Sequence, residues 1–339
     1  MKLNIRELKA RGCAVAEENR FATRRLVLLY CGVIAALSLV VPALDLFLSE
    51  QISSTGGLSG MNLRTILQTA REILNLFNRF FGPFWSAGFV FAMMAMVRGR
   101  EPQTGDLTMG LRKGFRVLGH IAFEFLLVVA LVVASGYLAA LIIALTPLGT
   151  ELSDLLGPYV SDPSFLTSEG TLNLELIPMD VLTAALIPVS IVTVVLFLPA
   201  YIWLSYGYRL SLYLLLDGAA PSAVQARFMS QRLMKGHKWS MMKLDLSWWW
   251  YYLLVAVITA VGYLVAVITA VGYLDLILAM ANIPLPMDET VMFFGTIAVY
   301  CVLISALSLW KKSQVEAGYA LAYDAIVHPE NEEVSPEIA

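Results

Sequence analysis

Six long apolar stretches alternate with polar segments along the chain, at residues 26–49, 80–97, 117–146, 180–216, 246–282 and 291–310. Each comes close to or exceeds the roughly 20 residues that a helix needs to cross the hydrocarbon of a bilayer. None shows the ten-residue alternation of a membrane barrel strand, and backbone groups in lipid must bond within their own segment. The pattern therefore predicts an all-α fold, a polytopic transmembrane helical bundle of about six spans with short amphipathic interfacial helices. One such helix is expected at 62–79, where Leu63, Ile66, Leu67, Ala70, Ile73, Leu74 and Phe77 share a side. Arg64, Gln68, Arg71, Asn75 and Asn78 fall on the other side, so it would lie on the membrane surface or against the bundle. Its arginines would meet lipid phosphates or the acidic 147–179 loop.

Two stretches exceed a simple span. As one straight helix, 180–216 would extend about 55 Å, so Pro188 and Pro199 are expected to kink it, with an overhang at 206–216. Residues 255–264 and 265–274 both read VAVITAVGYL. Ten inserted residues rotate the remainder of the helix by roughly −80°, so Gly262 and Gly272 cannot share one environment. Protrusion or tilt of the fifth span is expected.

Composition agrees with the pattern. Apolar residues make up 58% and charged residues 14% of the chain, whereas soluble domains carry about 45–50% and about 25%. Charge distribution then predicts orientation. The N-terminal segment before residue 26 holds seven Lys and Arg, and the 98–116 and 227–243 connections hold five each. Residues 147–179 have none but carry Glu151, Asp154, Asp162, Glu169 and Glu175. By the positive-inside rule both termini face the cytoplasm. The chain thus divides into three regions: a basic N-terminal helix at 1–25, a six-span domain at 26–312, and an acidic cytoplasmic tail at 313–339 that is partly disordered.

Embedded ionisable residues are the best functional clues, because a charge in lipid is costly. Glu124 lies about two turns into the third span and Arg209 about two turns from the end of the fourth. Three readings stand: a structural ion pair, a ligand- or proton-handling pair, or snorkelling to the interface. His120, one turn before Glu124, fits an interfacial position better than a site. In 221–252 a basic amphipathic helix precedes an aromatic cluster, and Arg227, Arg232, Lys235, Lys238 and Trp239 are candidates for lipid headgroup contact. Ordinary interfacial anchoring is the favoured reading of the same cluster. Gly88 with Ala92, and Gly136 with Ala140, are small pairs that permit close helix packing.

The chain carries no phosphate-loop or dinucleotide motif, no HExxH and no GxSxG, and its three histidines are scattered. Cys13, Cys31 and Cys301 read as free thiols. No catalytic residue, metal site, cofactor or nucleic-acid partner is expected. The expected role is a non-enzymatic bundle that binds or translocates a small or amphiphilic, lipid-like ligand. The alternative is an accessory or scaffold subunit of an envelope complex, with a membrane-protein partner or a second copy.

The stretch LMKGHKWSMMKLDLSWWW at 233–250 resembles the signature of the domain-of-unknown-function family numbered 975. IRELKARGCAVAEENR at 5–20 and AGYALAYDAI at 317–326 are similar to that family's opening and closing segments. The resemblance implies a bacterial inner-membrane protein of six spans and no assigned activity; the duplicated decapeptide is a departure from it.

Overall fold

A computed structural model describes residues 4–54, 61–162, 177–270 and 289–329. Those residues are helical almost throughout, with no β-strand among them. Helix α1, Ile5–Glu18, starts at Asn4, whose side chain accepts from the Glu7 N–H at 3.5 Å, and ends at Asn19. It buries Leu8, Gly12 and Ala16, a stripe at four-residue spacing. Helix α2, Arg20–Ser54, runs through Pro42 and contains the first apolar stretch.

Helix α3, Met61–Val97, corrects the surface-helix expectation: the amphipathic segment and the second span form one continuous helix of 37 residues. Its Arg71 forms a two-pronged ion pair with Asp45 of α2, at 2.6 and 3.0 Å. After α3 the chain folds back through a 3-10 turn, Thr104–Thr108, and the short α4, Met109–Arg112. The fold-back needs small residues. A Cβ on Gly88 would lie 1.9 Å from the Leu107 carbonyl oxygen, and one on Gly110 1.9 Å from that of Phe84. Gly136, by contrast, faces open space, so the second small pair is not a close contact.

Next come α5, Gly114–Ala144, α6, Pro147–Ser161, and α7, Met179–Tyr208. Pro188 and Pro199 both lie inside α7, and the helix ends only at Arg209. The adjoining α8, Ser211–Asp217, buries Ser211, Tyr213, Leu214, Leu215 and Leu216 against the protein. The chain continues with α9, Ala223–Leu233, α10, Lys238–Ser247, and α11, Trp249–Ala270. Helix α11 passes unbroken through the first decapeptide and into the second; the rest of the repeat, with Gly272, lies outside the described residues. Helix α12, Glu289–Leu307, passes through a π-helical turn, Ser308–Lys312, into α13, Ser313–Val327.

Helix α13 forms the first part of the segment expected as a partly disordered tail from residue 313. Val315, Ala317, Tyr319, Ala320, Ala322 and Tyr323 are each at most 3% exposed. The alanine- and tyrosine-rich run buries because α1 lies against it; a Cβ on Gly12 would sit 2.9 Å from the Gly318 nitrogen. The acidic residues beyond 329 lie outside the described residues.

Among the described residues, five helices are long and apolar enough to cross a membrane: Arg20–Ser53, Leu63–Val97, Gly114–Ala144, Met179–Asp217 and Phe294–Val327. A sixth crossing is made if Lys238–Ser247 and Trp249–Gly262, which meet at 66°, count as one bent span. Large apolar side chains such as Leu126, Val133, Ile191, Val195 and Val302 point outward and exposed, the arrangement a lipid surround favours. The chain divides into two compact units. One comprises residues up to His120 and from Leu210 onward, and the other is Ile121–Arg209.

Candidate functional site

Three polar groupings are built into the first unit. The first closes the ends of α3, α8 and α13. Arg98, just past α3, grips Asp217 at 2.5 and 3.2 Å and Asp324 at 2.7 Å. Asp217 also accepts from the Tyr323 hydroxyl at 2.8 Å and faces His328 at 3.4 Å. The bonds to Asp217 and then Asp324 raise the Arg98 guanidinium above its ordinary pKa. Nearby, the Lys113 ammonium donates to the Leu216 and Leu215 carbonyls at the end of α8, at 2.5 and 3.3 Å. Burial, followed by the charge of Arg116, pushes Lys113 below its usual pKa. Every member of this network has a partner, so it works as a clasp.

The second grouping fixes α9. Arg227 donates to the His120 carbonyl at 2.9 Å, His120 Nδ1 faces the Ser211 hydroxyl at 3.4 Å, and the Leu210 N–H donates to Ser230 at 3.2 Å. Arg227 is 3% exposed, which corrects its assignment to lipid headgroups. The sequence pattern puts it on a basic stripe, but it falls on the same helix face as Ala223, Ala226 and Ser230, which are buried against the protein. Arg232, Lys235 and Trp239 are exposed, as headgroup contact requires, and Lys238 is half-buried. Trp248 of the aromatic cluster is buried as well; Lys9 lies 4.3 Å over its ring and donates to the Ser247 carbonyl at 2.5 Å. Asp245 is occupied by the Tyr319 hydroxyl, itself 2.6 Å from that of Tyr252. Glu124 and Arg209 belong to the other unit, where α5 and α7 also bring Phe123 and Tyr208 into edge-to-face contact at 6.4 Å.

The third grouping leaves charge available. Where α1 gives way to α2, a cleft of about 250 Å³ opens against the π turn. Arg20, Thr23 and Arg24 line one wall and Trp310, Ser313 and Gln314 the other. Arg20 and Arg24 are exposed. Arg20 makes a loose 3.8 Å pair with Glu17, which also lines the cleft, and Arg24 makes no ion pair among the described residues. The Gln314 amide oxygen accepts from Lys311 at 2.8 Å and from Cys13 at 3.6 Å, which leaves its nitrogen as the end free to donate. Trp310, 62% exposed, stands at the rim. Behind the cleft, the Lys312 ammonium lies 4.8 Å from the Tyr30 ring and 5.5 Å from that of Phe89. Helical π turns recur at functional sites because the widened turn redirects side chains, and here it sends Lys311 and Lys312 to different surroundings.

This cleft escapes sequence reading because its walls are some 290 residues apart in the chain. The one local signal is the sequence Trp-Lys-Lys at 310–312 closing an apolar run, which otherwise reads as interface anchoring. Among the described residues no group of His, Cys, Asp and Glu is placed to hold a metal. Comparison with curated proteins and with solved structures finds no match. Comparison with family patterns matches residues 12–281 to "Protein of unknown function (DUF975)". The match includes the tryptophan-rich stretch at 233–250 and the second half of α1, and stops short of the α13 segment that α1 packs against. The chain belongs to the DUF975 family.

Proposed function

We propose that this is a six-pass protein of the bacterial inner membrane, with both termini cytoplasmic, that binds an anionic amphiphile in the cleft between α2 and the π turn. Two features support the topology: the alternation of basic and acidic connections, and the packing of the N-terminal α1 on the C-terminal α13. Terminal helices that meet at one end of a bundle are what an even number of crossings requires. No catalytic role is assigned.

The cleft carries the binding reading. It sits at the border between apolar spans and polar ends, where Arg24 precedes the apolar run from Leu26 and Trp310 closes the run of α12. Two guanidiniums, one of them loosely paired with Glu17, a serine hydroxyl and an amide nitrogen converge there, a donor set suited to phosphate or carboxylate oxygens, while the Thr23 hydroxyl is taken up by Met96 Sδ. The rim tryptophan suits the headgroup level of a bilayer. A ligand that binds only the folded state raises stability by mass action. Thermal unfolding of the purified protein in non-ionic detergent, with added phosphatidylglycerol or phosphatidylcholine, tests this. The anionic lipid should raise the midpoint more, and the difference should vanish in an R20Q/R24Q variant. Equal effects of the two lipids on the wild type would refute the reading.

A further inference from the structure

A second cavity, of about 380 Å³, lies between α11 and α12, lined by Ile258, Gly262, Thr296, Val299, Tyr300 and Leu303. Gly262 sets its floor, since a Cβ there would come 2.8 Å from the Tyr300 ring. Its lining is almost wholly apolar, which suits hydrocarbon and no headgroup. On α12 the groove residues recur at three- and four-residue spacing, at 296, 299 and 303. Seven residues on, about 10 Å along the axis, the same rod reaches Trp310 within the π turn, and four further Gln314. Both of these line the polar cleft. Groove and cleft thus follow one another along the α12–α13 rod, a track that is apolar at one end and cationic at the other.

The track has the length of a lipid. From Val299 to Gln314 is fifteen residues, about 22 Å of helix, and one leaflet with its headgroups takes about 20–22 Å. We infer that the ligand of the cleft is a single anionic phospholipid whose acyl chain lies in the groove between α11 and α12. This rests on the cleft being a headgroup site. Arg20 and Arg24 then hold the phosphate, Gln314 donates to it, Trp310 covers the glycerol level, and the chain passes Leu303 to lie over Val299. Exposed faces elsewhere, such as Val194 and Val195 on α7, line neither the groove nor the cleft and serve as the reference for non-selective lipid contact.

The test uses the full chain in vesicles of dioleoyl phosphatidylglycerol and phosphatidylcholine. The probe is phosphatidylglycerol carrying a photoactivatable diazirine midway along one acyl chain, with the matching phosphatidylcholine probe as control. Labelled peptides are mapped by mass spectrometry. Label from the anionic probe should be enriched several-fold at 258–262 and 296–303 relative to 191–198. That enrichment should be absent with the zwitterionic probe, in R20Q/R24Q, and in Val299→Trp, which fills the groove from a position already 60% exposed. Even labelling of all exposed spans would overturn the inference. So would enrichment that survives R20Q/R24Q, or crosslinking of the groove to a second copy of the chain. The unfolding assay above is run on the same variants. If Val299→Trp keeps the headgroup-dependent stabilisation, the headgroup site stands whatever the fate of the groove; if wild type shows none, the headgroup site itself has failed.

Discussion

Replacing Arg98 by methionine removes the cation from the clasp while keeping most of its aliphatic volume. Asp217 and Asp324, only 16% and 18% exposed, would then face one another with no shared counter-charge. Breaking a buried ion pair from one side costs about 3–5 kcal/mol, chiefly because the partner charge is left in place. The Arg98 side chain is 37% exposed, so water screens part of the loss and about 2 kcal/mol is the better figure. That is roughly a 30-fold change in the folding equilibrium. Removing one carboxylate as well relieves the repulsion, so Arg98→Met with Asp217→Asn should recover about half of the loss. The assay is reversible unfolding in mixed micelles of the wild type, each single variant and the double variant. A double variant whose loss equals the sum of the two single losses would refute the clasp, because independent residues add and clasped ones do not.

Other consequences are as direct. Gly88→Ala forces a Cβ to within 1.9 Å of the Leu107 carbonyl, so it should destabilise by at least about 3 kcal/mol, whereas Gly136→Ala should be neutral or stabilising by about 0.5–1 kcal/mol; thermal unfolding of the pair checks both. Arg227→Met leaves the His120 carbonyl without its 2.9 Å donor and should cost about 2 kcal/mol, read as faster proteolysis of the 217–238 region. In a variant with Cys13, Cys31 and Cys301 replaced by serine, cysteine at position 160 should react with an impermeant reagent from outside intact cells and cysteine at 231 only after lysis. The reverse pattern would overturn the orientation.

How much of the molecule is legible in the sequence depends on the range over which each signal acts. Span-length apolar runs are local, so all five long helices fall where hydropathy puts them, and the 233–250 stretch carries the family resemblance. The segment at 62–79 misleads because its polar face looks like a solvated one. Arg71 turns that face toward Asp45, 26 residues away, and nothing local marks such a pair. The order of the first part of the tail is hidden for a related reason. Its glutamates at 330–337 dominate the composition, while the small and aromatic run at 315–323 gains its burial from distant elements, α1 some 300 residues earlier and also α3 and α8. Arg227 shows the same limit on one helix, since a basic stripe and a buried face overlap there by a single position. The cleft joins both ends of the chain and is visible only once they are brought together.

Native mass spectrometry tests the central claim most directly. Released from vesicles containing phosphatidylglycerol and phosphatidylcholine, the wild-type protein should retain one anionic phospholipid at activation energies that strip the rest. The R20Q/R24Q variant should emerge without it. A wild-type protein that retains both lipids in their bulk proportion, or a variant that keeps its bound anionic lipid, would contradict the account.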